Sequence, residues 1–178
     1  MNVLIHSCCG PCASACVPRL REEGHAVTMF YSNSNIDTRA EFEKRLAAAR
    51  TLAAAEGVTL VADDYDHAAW LRAVADGYEN EPEKGRRCER CYRYNLARTA
   101  AYAAAHGFEA FTTSLTVSPH KPSAKIFASS EDPKFLREDF KKREGFKRSV
   151  RRAGELGLYR QSYCGCEFSK RTSREEPT

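Results

Sequence analysis

The chain has no apolar stretch approaching the ~20 residues a membrane-spanning helix needs. Its first ten residues, MNVLIHSCCG, carry neither a basic leader nor an apolar run long enough for a signal peptide. Biased tracts are also missing: with 42% hydrophobic and 29% charged residues, intrinsic disorder is excluded outside the last few positions. These absences predict a globular, cytoplasmic protein with no membrane partner. At 178 residues it suits a single domain, 1–178, stable without disulfide staples.

Cysteine, by contrast, is abundant. Thiols stay reduced in the cytoplasm, so eight cysteines in clusters point to metal ligation or redox chemistry and away from a disulfide framework. Charge is unevenly spread: residues 134–174 hold 13 Lys or Arg against 5 Asp or Glu.

Hydrophobic patterning predicts strands at Val3–His6, Ala26–Tyr31, Thr59–Ala62 and Ala110–Thr113. Between the first two, VPRLREEG reads as a helix with Pro18 near its start and Gly24 at its end. Thr38 and Glu41 form a capping box that opens an alanine-rich helix running to Gly57. Asp66 caps a shorter helix through Trp70 and Val74, and Cys91–His106 makes another. Strands alternating with helices describe an α/β fold, a Rossmann-like or HUP-like parallel sheet with helices on both faces. Ligands in such sheets bind beyond the carboxyl ends of the strands. The α/β core is expected over 1–118. A basic, irregular C-terminal extension, its helices interrupted by Gly145, Gly154, Gly157 and Gly165, then covers the metal site over 119–170, and 171–178 forms a flexible tail.

The cysteines fall into three motifs. Cys8, Cys9 and Cys12, in HSCCGPCAS, lie where the first strand meets the first helix, whose N-terminus favours anionic thiolates. Cys88 and Cys91, in GRRCERC, stand immediately before a helix at a spacing that lets two thiolates converge on one metal. Cys164 and Cys166 flank Gly165, which permits the turn that aims both sulfurs the same way. Seven candidate ligands exceed the four needed by one zinc or one iron–sulfur cluster, which implies a larger or second metal centre. Cys16 reads as a small buried apolar residue and His6 as a hydrogen-bonded histidine near the core.

Cys9-Gly10-Pro11-Cys12 alone would suggest a thiol–disulfide oxidoreductase, but thioredoxin-like domains carry a strand and helix upstream of that motif, and the other cysteines would be idle. A zinc-binding RNA-binding protein accounts for the paired cysteines and basic residues, not for seven ligands. A nucleotide hydrolase would need glycines and serines in the first loop, where cysteines stand.

Six blocks, LIHSCCGPCAS, FYSNSNID, EPEKGRRCERCYRYNLA, TTSLTVSPHK, DFKKREGFKRS and LYRQSYCGCEFS, run from residue 4 to 169. In their order and cysteine content they resemble the QueH family of epoxyqueuosine reductases. The sequence departs from that pattern at Asn95, where Arg is more usual, and at Ser34, within a loop that usually reads Asn-Pro-Asn.

The resemblance implies reductive removal of the epoxide oxygen from epoxyqueuosine at the wobble position of tRNA, giving queuosine, without cobalamin. It also implies a [4Fe-4S] cluster with an adjacent mononuclear iron held among Cys8, Cys9, Cys12, Cys88, Cys91, Cys164 and Cys166. Converting an epoxide to an alkene and water consumes two electrons and two protons, so an external low-potential electron donor is required. Asp64 and Tyr163 are candidate proton donors; Asp66 reads equally as a helix cap. Asn33, Thr113, Ser118 and Lys121 lie in strand-end loops suited to orienting a nucleoside or phosphate. Lys141, Lys142, Arg148 and Arg160, near the aromatic Phe146 and Tyr159, suit backbone contact and base stacking in tRNA.

Overall fold

The computed structural model describes residues 1–170; the tail expected at 171–178 lies outside them. In chain order the elements are β1 (Asn2–His6), α1 (Gly10–Glu22), β2 (Ala26–Tyr31), α2 (Arg39–Glu56), β3 (Thr59–Ala62) and α3 (His67–Trp70). The last of these continues as a π-helical turn over Leu71–Ala75. Then come α4 (Arg86–Ala105), β4 (Ala110–Thr113), a 3-10 turn at Ser114–Val117, α5 (Ser123–Phe127) and α6 (Gly145–Glu155).

The four strands pair in parallel in the order β3-β2-β1-β4. Ile5 stands opposite Met29 on one side and Thr112 on the other. β1 is central and buried on both faces, which is why its apolar run is continuous: Val3, Leu4 and Ile5 are fully buried. Val3 and Ile5 pack with α1 and α2 through Val17, Leu20, Leu46 and Leu52. Leu4 faces the other way, toward Leu96 of α4 and Phe108. Each such side chain contributes about 1.5–3 kcal/mol on burial, so both helical layers are needed to hold one strand. Chain order reverses between β1 and β4, and the crevice beyond that reversal is where ligands enter this class of sheet.

Three expectations change. α1 begins at Gly10, so Pro18 lies inside the helix. The missing N–H costs one intrahelical bond, and burial of Ala13, Val17 and Leu20 offsets it. α4 begins at Arg86, so Cys88 and Cys91 occupy its first two turns on one face and do not precede it. The glycine-interrupted extension carries an 11-residue helix, α6, with Gly145 first and Gly154 in its last turn. That helix packs on α1: Ala153 joins the main core, and the Ser14 hydroxyl reaches the Ser149 carbonyl oxygen. The extension also lies along β4, where Phe135 bridges Phe111 in parallel.

Candidate metal centre

The first cysteine motif is built by the start of α1. Cys9 is its N-cap, in extended conformation, and its sulfur accepts the Cys12 backbone N–H at 3.3 Å. Cys8 is held from the 3-10 turn after β4: its N–H donates to Ser114 Oγ at 3.1 Å, and that hydroxyl donates to Cys8 Sγ at 3.3 Å. The sulfurs of Cys8, Cys9 and Cys12 all lie within 4.8 Å of one another. Metal–thiolate bonds of about 2.3 Å place two sulfurs on one ion roughly 4 Å apart, so this triad fits a single ion with a position left open. A hydrogen bond from the Cys12 thiol, then one from Cys8, holds Cys9 well below the usual thiol range, while Cys12 is held well above it.

Cys88, Cys91, Cys164 and Cys166 line a second cavity of about 40 Å³ together with Trp70 and Arg87. Burial pushes the Cys91 thiol well up, as do the neighbouring charges of Cys164 and Cys166; burial brings Cys166 up to about 11. N–H groups are arranged around these sulfurs. The Lys84 amide donates to Cys88 Sγ at 3.2 Å and Asn95 Nδ2 to Cys91 Sγ at 3.9 Å. Trp70 Nε1, buried with no close partner among the described residues, acts on Cys91 from longer range. Arg87 pins the preceding loop through the carbonyls of Tyr78 and Glu81 and stacks 4.4 Å over Phe168. Its charge partly offsets the effect of burial on Cys88 and Cys166.

The third motif comes from the far end of the chain and is tied to α2. Buried Arg45, paired with Glu41 at 2.8 Å, donates to the carbonyls of Cys164 at 2.7 Å and Tyr163 at 3.1 Å. Gly165 adopts φ 151°, and a Cβ there would stand 3.0 Å from Asn35 Nδ2. Glycine is therefore required on both conformational and spatial grounds.

A larger cavity of about 460 Å³ is lined by Cys8, Cys12, Cys91 and Cys164, so residues of all three motifs meet around it. Asn33, Ser118, Lys121 and Arg160 line it. Thr113 is used structurally: its hydroxyl meets His6 Nδ1 at 2.9 Å and accepts the Leu115 N–H. The Lys141 ammonium is held by the Thr116 carbonyl and Ser123. Arg148 pairs with Glu22, and Lys142 is exposed outside the cavity. Asp64 is likewise exposed outside it. Tyr163 lines the cavity, but its hydroxyl donates to Asp37 at 2.7 Å, and burial followed by that bond raises its pKa. Asp66 caps α3 through Ala69 N. Ser34 braces its loop against Asp64 and Asp66. His6 is fully buried between Thr113 and the Ser32 carbonyl, and desolvation lowers its pKa, as suits a neutral structural ring. Cys16 sits in the main core with its thiol on the Cys12 carbonyl.

Arg45, Asn35, Gln161 and Trp70 are the site residues that motif spacing does not reveal, while Phe146, singled out beside the basic run, lines the larger cavity. The adjacency of Gln161 to the last cysteine block is the one local signal they carry.

A parallel sheet of order β3-β2-β1-β4, with thiol clusters in adjoining cavities at its switch point, defines a Rossmann-like α/β protein equipped to bind metal through cysteine. The family model for epoxyqueuosine reductase QueH matches residues 3–172. The epoxyqueuosine reductase QueH of Thermotoga maritima is 35% identical over 184 residues, covering 98% of this chain and 93% of that protein. Its counterpart from Dehalococcoides mccartyi is 35% identical over 176 residues, covering 95% and 92% respectively. The one from Streptococcus pyogenes serotype M1 is 35% identical over 180 residues, covering 94% and 70%. The chain belongs to the QueH family.

Proposed function

We propose that this protein is a cobalamin-independent epoxyqueuosine reductase acting in the cytoplasm on tRNA that carries epoxyqueuosine at the wobble position. The observation that carries the proposal is the meeting of three sequence-distant cysteine motifs around one cavity of nucleoside size. Family membership supplies the substrate.

Cys88, Cys91, Cys164 and Cys166 match the four-thiolate demand of a [4Fe-4S] cluster. Cys8, Cys9 and Cys12 suit an adjacent mononuclear iron with an open position. When bound, the cluster supplies single electrons drawn from an external low-potential donor, and the iron supplies Lewis acidity toward the epoxide oxygen. The reaction breaks both C–O bonds of the epoxide, forms a C=C bond and releases water, consuming two electrons and two protons. The chain's own residues bind and shield the substrate. A cavity of about 460 Å³ admits one nucleoside and not a base-paired stem, so the wobble nucleotide enters splayed out from the anticodon loop. Asn33, Asn35 and Gln161 offer amides along its wall, Arg160 offers a guanidinium, and Phe146, 41% exposed, offers an aromatic face.

The test is anaerobic purification followed by metal and sulfide analysis and an assay on epoxyqueuosine-containing tRNA with a low-potential reductant. Brown protein containing iron and acid-labile sulfide, and conversion to queuosine, are expected. Colourless, zinc-loaded protein without activity would overturn the proposal and favour a zinc-binding RNA-binding role.

A further inference from the structure

Breaking the C–O bonds of an epoxide places developing negative charge on its oxygen, and a site that does this in a partly enclosed cavity benefits from a fixed positive group aimed at that oxygen. Neither acid suggested by the sequence serves. Asp64 is exposed outside the cavity, and the Tyr163 hydroxyl is committed to Asp37. Among the neighbouring cations, Arg45 is engaged with Glu41 and two carbonyls and Lys141 with Thr116 and Ser123, while Arg160 lines only the larger cavity and is exposed.

Lys121 differs from all of these. It lies in the loop following β4, at the switch point of the sheet, where its backbone N–H closes a turn onto the Ser118 carbonyl. Its side chain lines both the larger cavity and the adjoining four-cysteine cavity. Lys84 also lines both, but is exposed. Among the described residues, no carboxylate pairs with the Lys121 ammonium and no acceptor takes a hydrogen bond from it. The place of Lys121 in both linings puts it between the two thiol sets: Cys8 and Cys12 share the larger cavity with it, and Cys88 and Cys166 the smaller one.

We propose that Lys121 is a catalytic residue whose ammonium donates a hydrogen bond to the epoxide oxygen and holds the charge that develops there as the C–O bonds break. This rests on the epoxyqueuosine reductase reading. Lys121 retains its proton throughout; the two protons that convert the departing oxygen to water come from solvent, and the two electrons come from the low-potential donor.

The experiment compares the anaerobically loaded wild-type enzyme with Lys121→Met and Lys121→Arg. It measures iron and sulfide content, affinity for queuosine-containing product tRNA, and the single-turnover rate on epoxyqueuosine tRNA. Product lacks the epoxide oxygen, so its affinity reports the structural and anchoring roles separately from the catalytic one. For Lys121→Met, unchanged metal content and product affinity within about 3-fold are expected, with a rate lowered by about 100-fold or more; Lys121→Arg recovers part of that loss. A rate within a few-fold of wild type would overturn the proposal. So would loss of iron in both variants, which would make Lys121 a partner of the metal site, or a weakening of product affinity that matches the fall in rate. If the wild-type enzyme, loaded with iron and sulfide, leaves epoxyqueuosine tRNA unchanged, the functional reading itself fails.

Discussion

Cys9 and Cys16 belong to the same stretch of chain and are both fully buried, yet the structure gives them opposite roles. Cys9 caps α1 and lies within 4.8 Å of two other sulfurs; Cys16 points into the core among Val17, Leu20 and Ala49. Replacing Cys9, Cys88 or Cys164 by Ala is expected to remove iron and activity together, whereas Cys16→Ala keeps both, as iron analysis and the tRNA assay will show. The ligand candidates were legible because thiol spacing is a local property of sequence. The proposed catalytic role of Lys121 was not: its strand-end loop suggested only an orienting residue, and its shared lining of two cavities is a property of the folded chain. Phe146 divides the same way: its place beside the basic run marked it for stacking, but its position in a cavity wall, 41% exposed, emerges only on folding. Phe146→Ala should weaken binding of the anticodon loop by about 1–3 kcal/mol, the worth of one stacked base. Filter binding measures this, with iron content and thermal stability unchanged.

For the elements, cap chemistry was the most readable signal. Thr38 takes the Glu41 N–H at 3.2 Å as expected, but the Glu41 carboxylate turns to Arg45 and the Tyr159 hydroxyl, so half of the capping box serves to tie the C-terminal segment to α2. The starts of α1 and α4 were misplaced for a shared reason. Both helices begin inside cysteine motifs, where function sets residue identity and the usual apolar spacing is absent. α6 was obscured by its glycines, and Gly145 explains why one stands there: a Cβ would collide with the Phe140 carbonyl oxygen. Because that obstacle is backbone, Gly145→Ala should destabilise the fold by at least about 3 kcal/mol. Chemical denaturation would reveal the loss. Gly154→Ala, with open space around its Cβ, should leave stability unchanged or slightly raised.

At the scale of the whole molecule, burial and charge act against metal-free thiolates. Cys12 and Cys91 sit well above the usual thiol range and Cys166 near 11, so binding metal there must release protons. A group whose pKa is raised in the folded apoprotein holds its proton as pH falls, so metal affinity should rise with pH. Chelator competition at pH 6.5 and pH 8.5 should show tighter iron retention at the higher value; equal retention would mean the thiols are already ionised without metal. That the strands form a parallel sheet followed from their alternation with helices, and the basic quarter of the chain was visible as composition. Composition did not show that Arg148 and Arg152 of α6 pair with Glu22 of α1 and Glu56 of α2, or that Arg143 just before α6 pairs with Glu23, so that part of the basic charge fastens the extension to the core.

The tether from Arg45 to the Cys164 carbonyl spans 119 residues of sequence. A chain leaving the ribosome presents Cys88 and Cys91 well before Cys164 and Cys166 exist to join them. The four-thiol set can be completed only once residue 166 exists and the segment around Cys164 has docked on α2, so a metal held by all four thiols would report a finished tertiary contact and not a local loop.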